Sequence, residues 1–264
     1  MSSSPTAPVV ALLTDFGTRD WYVACVKGVI LTRCPQARLI DLTHDVPPFD
    51  IVAGAFILAA AVPWLPAGAV CVCVVDPGVG TARRVLAAQA DGRLFVGPDN
   101  GVLSLVLARA RRPRIVHVTN RAYWQPQISQ TFHGRDIMGP VGAYLARGMP
   151  LGRFGPPTAR YKRLPLPAPT HTAAGTHTGC VLYIDRFGNL ITNLSAALPA
   201  PHRRSVITYG SRRCRVVSSY GAGTAHEVIA VGGSTGYIEL AVRNGSAAAR
   251  CRAAVGDRVQ LKCS

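Results

Sequence analysis

Residues 9–43 read VVALLTDFGTRDWYVACVKGVILTRCPQARLIDLT. Val9–Thr14 is an apolar run of strand length, rich in residues that suit a pleated surface. Asp20–Arg33 has the length of a helix and stops at Cys34-Pro35, because the residue before a proline is steered out of helical backbone. Arg38–Thr43 is a second β-rich run. Strand, helix and strand in succession make the unit from which parallel sheets are built, since parallel neighbours need a crossover connection.

The same alternation continues down the chain. Asp50–Val62 and Val102–Arg109 read as helices, with strands at Ala69–Val75, Val85–Ala88, Leu94–Val96 and Ile115–Val118. Ile137–Arg147 reads as a further helix. An α/β domain with a mainly parallel central sheet is therefore expected over residues 1–165. The texture changes in PPTARYKRLPLPAPTHTAAGTHTG (156–179), and residues 166–178 read as a linker. After it come only short β-rich runs separated by Gly and Asn: Cys180–Ile184, Leu190–Asn193, Ser205–Thr208, Arg215–Ser218, Val228–Val231, Tyr237–Val242 and Arg258–Lys262. That spacing predicts a smaller antiparallel barrel or sandwich over 179–264.

Composition narrows the function classes. Hydrophobic residues make up 48% of the 264 and charged ones 16%, which fits a chain with a packed core and excludes a disordered one. The net charge of +16 would draw polyanions. The arginines are scattered, as in Arg111, Arg112 and Arg114, and are not interleaved with aromatics, so nucleic acid is not the expected partner. Eight cysteines show no CxxC pair, and no disulfide framework or zinc site is expected. Cys71 and Cys73 alternate along an apolar strand and should share one face of the sheet. The opening MSSSPTAPVV lacks a basic signal-peptide region, so a cytoplasmic protein is expected. Ile51–Val75 is uncharged, yet Pro63 and Pro66 divide it into pieces too short to span a bilayer.

The thirteen acidic residues are few enough for their placement to matter. Asp15, Asp76 and Asp99 each follow an apolar strand, in VVALLTDFG, CVCVVDPGVG and RLFVGPDNG. Ligands of open parallel sheets bind outside the carboxyl ends of the strands, so these three should converge on one rim. Asp185, in VLYIDRFGN, belongs to the second domain. Carboxylates in glycine-rich turns suit a ligand with hydroxyl or ammonium groups, and no phosphate-binding glycine loop is present. Such an aspartate also serves to start a turn or cap a helix. Gly232-Gly233-Ser234-Thr235-Gly236 matches a nucleophile elbow, but a strand follows it and no histidine comes after His226, which excludes a serine hydrolase. TFHGRDIMGP (131–140) places His133, Arg135 and Asp136 at a loop-to-helix junction.

Six runs together carry a family resemblance: TDFGTRDWYVACVKG, DPGVGTARR, VGPDNG, TFHGRDIMGP, IDRFGNLITN and GSTGYIELAVRNGSAA. In this order, over nearly the whole chain, they resemble the SAM hydroxide adenosyltransferases, the adenosine-forming S-adenosyl-L-methionine (SAM) hydrolases related to the 5′-halogenating enzymes. The resemblance implies an N-terminal α/β domain, a C-terminal β-barrel and a homotrimer with sites between one subunit's N-domain and a neighbour's C-domain. It implies cleavage of SAM by water to adenosine and methionine, with no metal or other cofactor.

Carried onto this sequence, it gives Asp15 to the ribose hydroxyls, and Asp20, Asp185 and Ser234 to the methionine amino and carboxylate groups. Phe187 and Tyr220 would stack on adenine, Asn189 would hydrogen-bond it, and Asn244 is a further adenine contact. Asp76, Arg83 and His133 would handle the water. Halogenating relatives carry an aromatic residue in place of Asp76 and another residue in place of His133, and an Arg where Thr235 stands. Met138-Gly139 also departs from the family pattern. A halogenase and a SAM- or adenosine-binding protein with little turnover are the alternatives.

Overall fold

A computed structural model describes residues 7–173, 175–198 and 205–262; residues 1–6 and Cys263 lie outside these segments. The chain forms two compact units that part between Leu164 and Pro165.

The first unit contains β1 (Val9–Thr14), α1 (Tyr22–Arg33), β2 (Arg38–Thr43), α2 (Ile51–Ala61), β3 (Val70–Val74), β4 (Val85–Ala90), β5 (Arg93–Pro98), α3 (Ser104–Arg109), β6 (Arg114–His117) and α4 (Gly139–Ala146). Its strands make one sheet in the order β2-β1-β3-β5-β4-β6. Strands β2, β1, β3 and β5 are mutually parallel, and β4 runs against both of its neighbours. Asp91-Gly92 is the cause of the reversal. Both residues take positive φ, 46° and 75°, as a two-residue hairpin turn requires.

Alternation decides which residues enter which half of the core. Val10 and Leu12 of β1 and Val70, Val72 and Val74 of β3 pack with Val26 and Ile30 of α1 and Val141 and Leu145 of α4. The intervening Ala11, Leu13, Cys71 and Cys73 are fully buried, so the two cysteines share a face as their spacing predicts. Helix α2, IVAGAFILAAA, is apolar all round and accordingly buried over most of its surface. Asp50 caps it by accepting the Ala53 N–H at 2.9 Å. Among the described residues no helix is long and apolar enough to cross a membrane. The seven described cysteines are free thiols.

The helix expected over 137–147 begins differently. Gly134–Met138 is a π-helical turn, with the Gly139 N–H donating to the Gly134 carbonyl, and α4 continues from it. Pro140 has no N–H for the Asp136 carbonyl, which instead accepts from the Gln125 N–H at 2.8 Å. The helix expected to start at Asp20 starts at Tyr22, with no side-chain cap, and Asp20 is exposed in the preceding turn.

In the second unit, β7 (Thr170–His171), β8 (Thr176–Ile184), β9 (Leu190–Ser195), β10 (Val206–Tyr209), β11 (Arg212–Val217), β12 (Val228–Gly232), β13 (Tyr237–Val242), α5 (Ala247–Cys251) and β14 (Arg258–Lys262) follow in turn. Strands β14-β10-β11-β12-β13-β9-β8 close through a β14–β8 pairing into a barrel, and β7 adds to the outside of β8. Part of the segment read as a linker thus carries ladder pairs. The barrel is antiparallel except where β11 and β12 run parallel. Residues 218–227 cause this exception: they return along the barrel before β12 begins, and the return carries Tyr220 in a short 3₁₀ turn. The barrel core is built from Val181, Leu190, Leu194, Ile207, Leu240 and Val259 with their neighbours.

Candidate active site

Each unit presents a cavity at the ends of its strands. In the first unit the chain leaves β3 through Val75 into Asp76-Pro-Gly-Val-Gly-Thr-Ala-Arg83. Successive turns, Val79 N–H to Asp76 O and Thr81 N–H to Gly78 O, fold this loop back on itself. Gly80 sits at φ +79°, and a Cβ there would lie 2.4 Å from the Gln130 carbonyl oxygen, so only glycine allows the loop to meet the segment leading to His133.

The fold-back brings three side chains into a chain. Arg83 Nε donates to both Asp76 oxygens at 2.9 Å, and its Nη2 donates to Oδ2 at 2.5 Å. The same Nη2 lies 2.8 Å from His133 Nδ1. A guanidinium only donates, so Nδ1 must accept, and the His133 proton resides on Nε2. Burial first, and then the charge of Arg83, push the His133 pKa below its ordinary value, which keeps the ring neutral. The Asp76 and Arg83 side chains are 5% and 8% exposed, so their pairing is shielded from solvent.

Asp15, Asp76 and His133 line one cavity of ≈ 380 Å³ together with Phe16, Tyr22, Phe49 and Phe132. Phe132 meets Phe16 and Tyr22 edge to face, at 6.0 and 5.3 Å between centroids. One oxygen of Asp15 accepts the Phe49 N–H at 2.9 Å, leaving the other for a ligand. Burial chiefly, with the Asp76 charge adding to it, holds the Asp15 carboxyl above the usual range. Asp99 does not join this rim. It is buried, pairs with Arg84 at 2.6 Å and accepts the Lys162 N–H at 2.7 Å, so it holds the end of the unit together. Asp20 lies outside the cavity lining.

The barrel's cavity, ≈ 500 Å³, is lined by Phe187, Asn189, Tyr220 and the Val242–Gly245 turn that includes Asn244. Asp185 builds one wall without lining it. Its Oδ1 accepts the Phe187 and Asn189 N–H groups at 2.9 and 2.8 Å, and its Oδ2 accepts Asn189 Nδ2 at 2.9 Å. This fixes the Asn189 amide with its oxygen uncommitted to Asp185. Gly188, at φ +80°, lets that turn touch Ser246, and Asn244 takes φ +55° beside it. Ser234 is exposed on the turn after β12 and does not line the cavity.

Glu239 is the functional candidate that the sequence reading missed. It is 4% exposed in β13 and accepts the Tyr220 Oη–H at 2.6 Å. Burial raises its pKa, with Tyr220 opposing and Asp185 adding to the rise. A lone acid between Ile238 and Leu240 in an otherwise apolar strand was the available signal. Among the described residues no group of three or more His, Cys, Asp or Glu side chains is arranged to hold a metal.

Residues 10–155 match the SAM hydroxide adenosyltransferase N-terminal domain, and residues 179–260 match the C-terminal domain of the same family. The chain belongs to the SAM hydroxide adenosyltransferase family. Within this family it is 42% identical, over 98% of both chains, to the (R)-S-adenosyl-L-methionine hydrolase of Salinispora tropica. It is 43% identical to the hydrolase of the same name from Thermus thermophilus, over 90% of this chain and 93% of that one. The fluorinase of an Actinoplanes species is more distant, at 29% identity over 71% and 72% of the two chains. Among solved structures, an uncharacterized conserved protein from Thermotoga maritima superposes with a TM-score of 0.90 at 32% identity, covering 96% of this chain and all of that one. The chain holds Asp76, Arg83 and His133 as one connected set within its N-terminal unit.

Proposed function

We propose that this chain hydrolyses S-adenosyl-L-methionine to adenosine and L-methionine by in-line attack of water on the ribose C5′. The observation that carries this reading is the Asp76–Arg83–His133 chain at the wall of an aromatic cavity. The sulfonium leaves as a neutral thioether, so no group has to protonate it. A water oxygen forms the bond to C5′, the C5′–S pair returns to sulfur, and one water proton must be taken up. With Nε2 protonated, His133 donates to the water oxygen and points its lone pair at C5′. The proton then goes to Asp76, whose charge Arg83 holds in place. The reaction so written needs no metal or redox group.

Asp15, with one oxygen uncommitted to Phe49, receives the ribose hydroxyls. Phe187 and Tyr220 offer faces for adenine, the Asn189 oxygen accepts from its amino group, and Asn244 closes the edge. Asp20, Asp185 and Ser234 serve the methionine end; Asp185 already accepts three N–H groups and keeps one of its roughly four acceptor positions for an ammonium. The working assembly is a cytoplasmic homotrimer in which the cavity of one subunit is faced by the barrel rim of its neighbour. Supporting this, Phe187 and Tyr220 are 76% and 45% exposed, an aromatic surface that calls for a cover.

The test is incubation with each sulfonium epimer of SAM, with and without high chloride, and chromatography of the products. Equal adenosine and methionine from the R epimer, unaffected by chloride and lost in Asp76→Ala, is expected. A chloride-dependent halonucleoside, or bound nucleoside without methionine release, overturns the reading. For the assembly, inactive Asp76→Ala and Asn189→Ala chains should regain activity when mixed and reassembled; failure to do so, with a monomer by light scattering, rejects shared sites.

A further inference from the structure

Behind His133 lies a second and larger cavity, ≈ 520 Å³, that the proposed reaction does not use. Arg83, Arg84, Arg121, His117, Gln130 and His133 supply its polar lining, and among the described residues no Asp or Glu lines it. Asp76 and Asp99 pair with Arg83 and Arg84, while Arg121 makes no ion pair among the described residues and lies over the Trp124 ring at 5.6 Å. Both histidines register the local field: burial first and the adjacent arginine second lower the pKa of His117 and of His133. A concave surface of guanidinium and N–H donors with no facing carboxylate is suited to an oxyanion, which accepts at every oxygen.

We propose that this cavity binds a small phosphate-class oxyanion, inorganic phosphate or diphosphate, and that its occupation slows the reaction at the neighbouring cavity. Coupling follows from shared walls. His133 lines both cavities, and Arg83, which holds both Asp76 and His133, lines this one. An anion on Arg83 competes with Asp76 for the same donors, and the water-orienting set loosens. The effect on turnover rests on the proposed SAM hydrolysis; the binding itself does not.

The experiment titrates phosphate and diphosphate onto the full chain by calorimetry at constant ionic strength without SAM, and then measures adenosine formation with the anion present. Saturable binding is expected. At saturation kcat should fall about tenfold, part of the roughly 10²–10⁴ that such groups contribute, with KM for SAM unchanged. Arg121→Ala and Arg121→Met should keep the anion-free rate and bind the anion at least about tenfold more weakly, the scale of one charge-assisted hydrogen bond. No saturable heat, or equal affinity in both variants, overturns the site; binding that leaves kcat unchanged overturns the coupling. If the chain cleaves no SAM, the titration still decides the site.

Discussion

His133 Nδ1 lies 2.8 Å from Arg83 Nη2 and must accept its proton, so the imidazole stands neutral with Nε2–H available to a water. Its pKa is lowered by burial and by Arg83. Turnover should therefore stay level from the alkaline side down through the ordinary imidazole value of about 6.5 and fall only in more acid solution. In the same way, the unfolded chain binds this proton at higher pH than the folded one. The stability from neutral His133 is present above the unfolded pKa and is lost as pH falls through it toward the folded value. A pH–kcat profile falling with a midpoint at or above about 6.5, in wild type but not in His133→Asn, would contradict the lowered pKa.

Asp76→Asn retains the size of the side chain and removes the acceptor for the water proton. Turnover is expected to fall by about 10²–10⁴, with adenosine affinity within a few-fold of wild type by calorimetry. Arg83→Lys should lose turnover as well, because one ammonium cannot hold both Asp76 oxygens and His133 as the guanidinium fork does. Wild-type rates in either variant would remove that residue from the water-handling set.

Tyr220→Phe leaves the buried Glu239 carboxylate without its 2.6 Å donor. The expected cost is about 1–3 kcal/mol in denaturant unfolding. The double variant Tyr220→Phe, Glu239→Gln should be less destabilised than the two single costs added together, since the amide carries no charge to bury. Adenosine should bind more weakly to Glu239→Ala, in which the Tyr220 ring loses its anchor. Strictly additive costs would mean that the pair is not coupled.

Gly80→Ala places a Cβ against the Gln130 carbonyl at a φ that L residues rarely adopt. A loss of at least about 1 kcal/mol by thermal unfolding is expected, with a fall in kcat because the loop also carries Arg83. Pro140→Ala makes the complementary point about backbone. The restored N–H can take back the Asp136 carbonyl from Gln125, and the turn after His133 can rewind as α-helix. A displaced His133 should lower turnover by up to about a hundredfold, with global stability little changed in the same unfolding assay.

Much of this is legible in the sequence alone. Short apolar runs such as Val9–Thr14 and Val70–Val74 read as strands because their length and their β-branched content are local properties. The Asp residues that follow β1 and β3 reach the rim that a parallel sheet dictates, whereas the hairpin at Asp91-Gly92 departs from the mainly parallel sheet expected there. The resemblance added residues at which local pattern alone is silent, Asn189 and Tyr220 among them.

Tertiary structure decided the rest. Asp99 looks like Asp15 and Asp76 in sequence, yet Arg84 and the Lys162 N–H claim it, contacts set by segments far along the chain. That Arg83 reaches both Asp76 and His133 depends on Gly80 meeting a carbonyl fifty residues away in sequence, at Gln130. Pro140 shows in the sequence, but its effect, a π turn after His133, needs Gln125 to take the carbonyl it leaves free. Local pattern determines which elements form and in what order. Which charge neutralises which, and which nitrogen of His133 holds the proton, is settled only where distant segments pack at hydrogen-bonding distance.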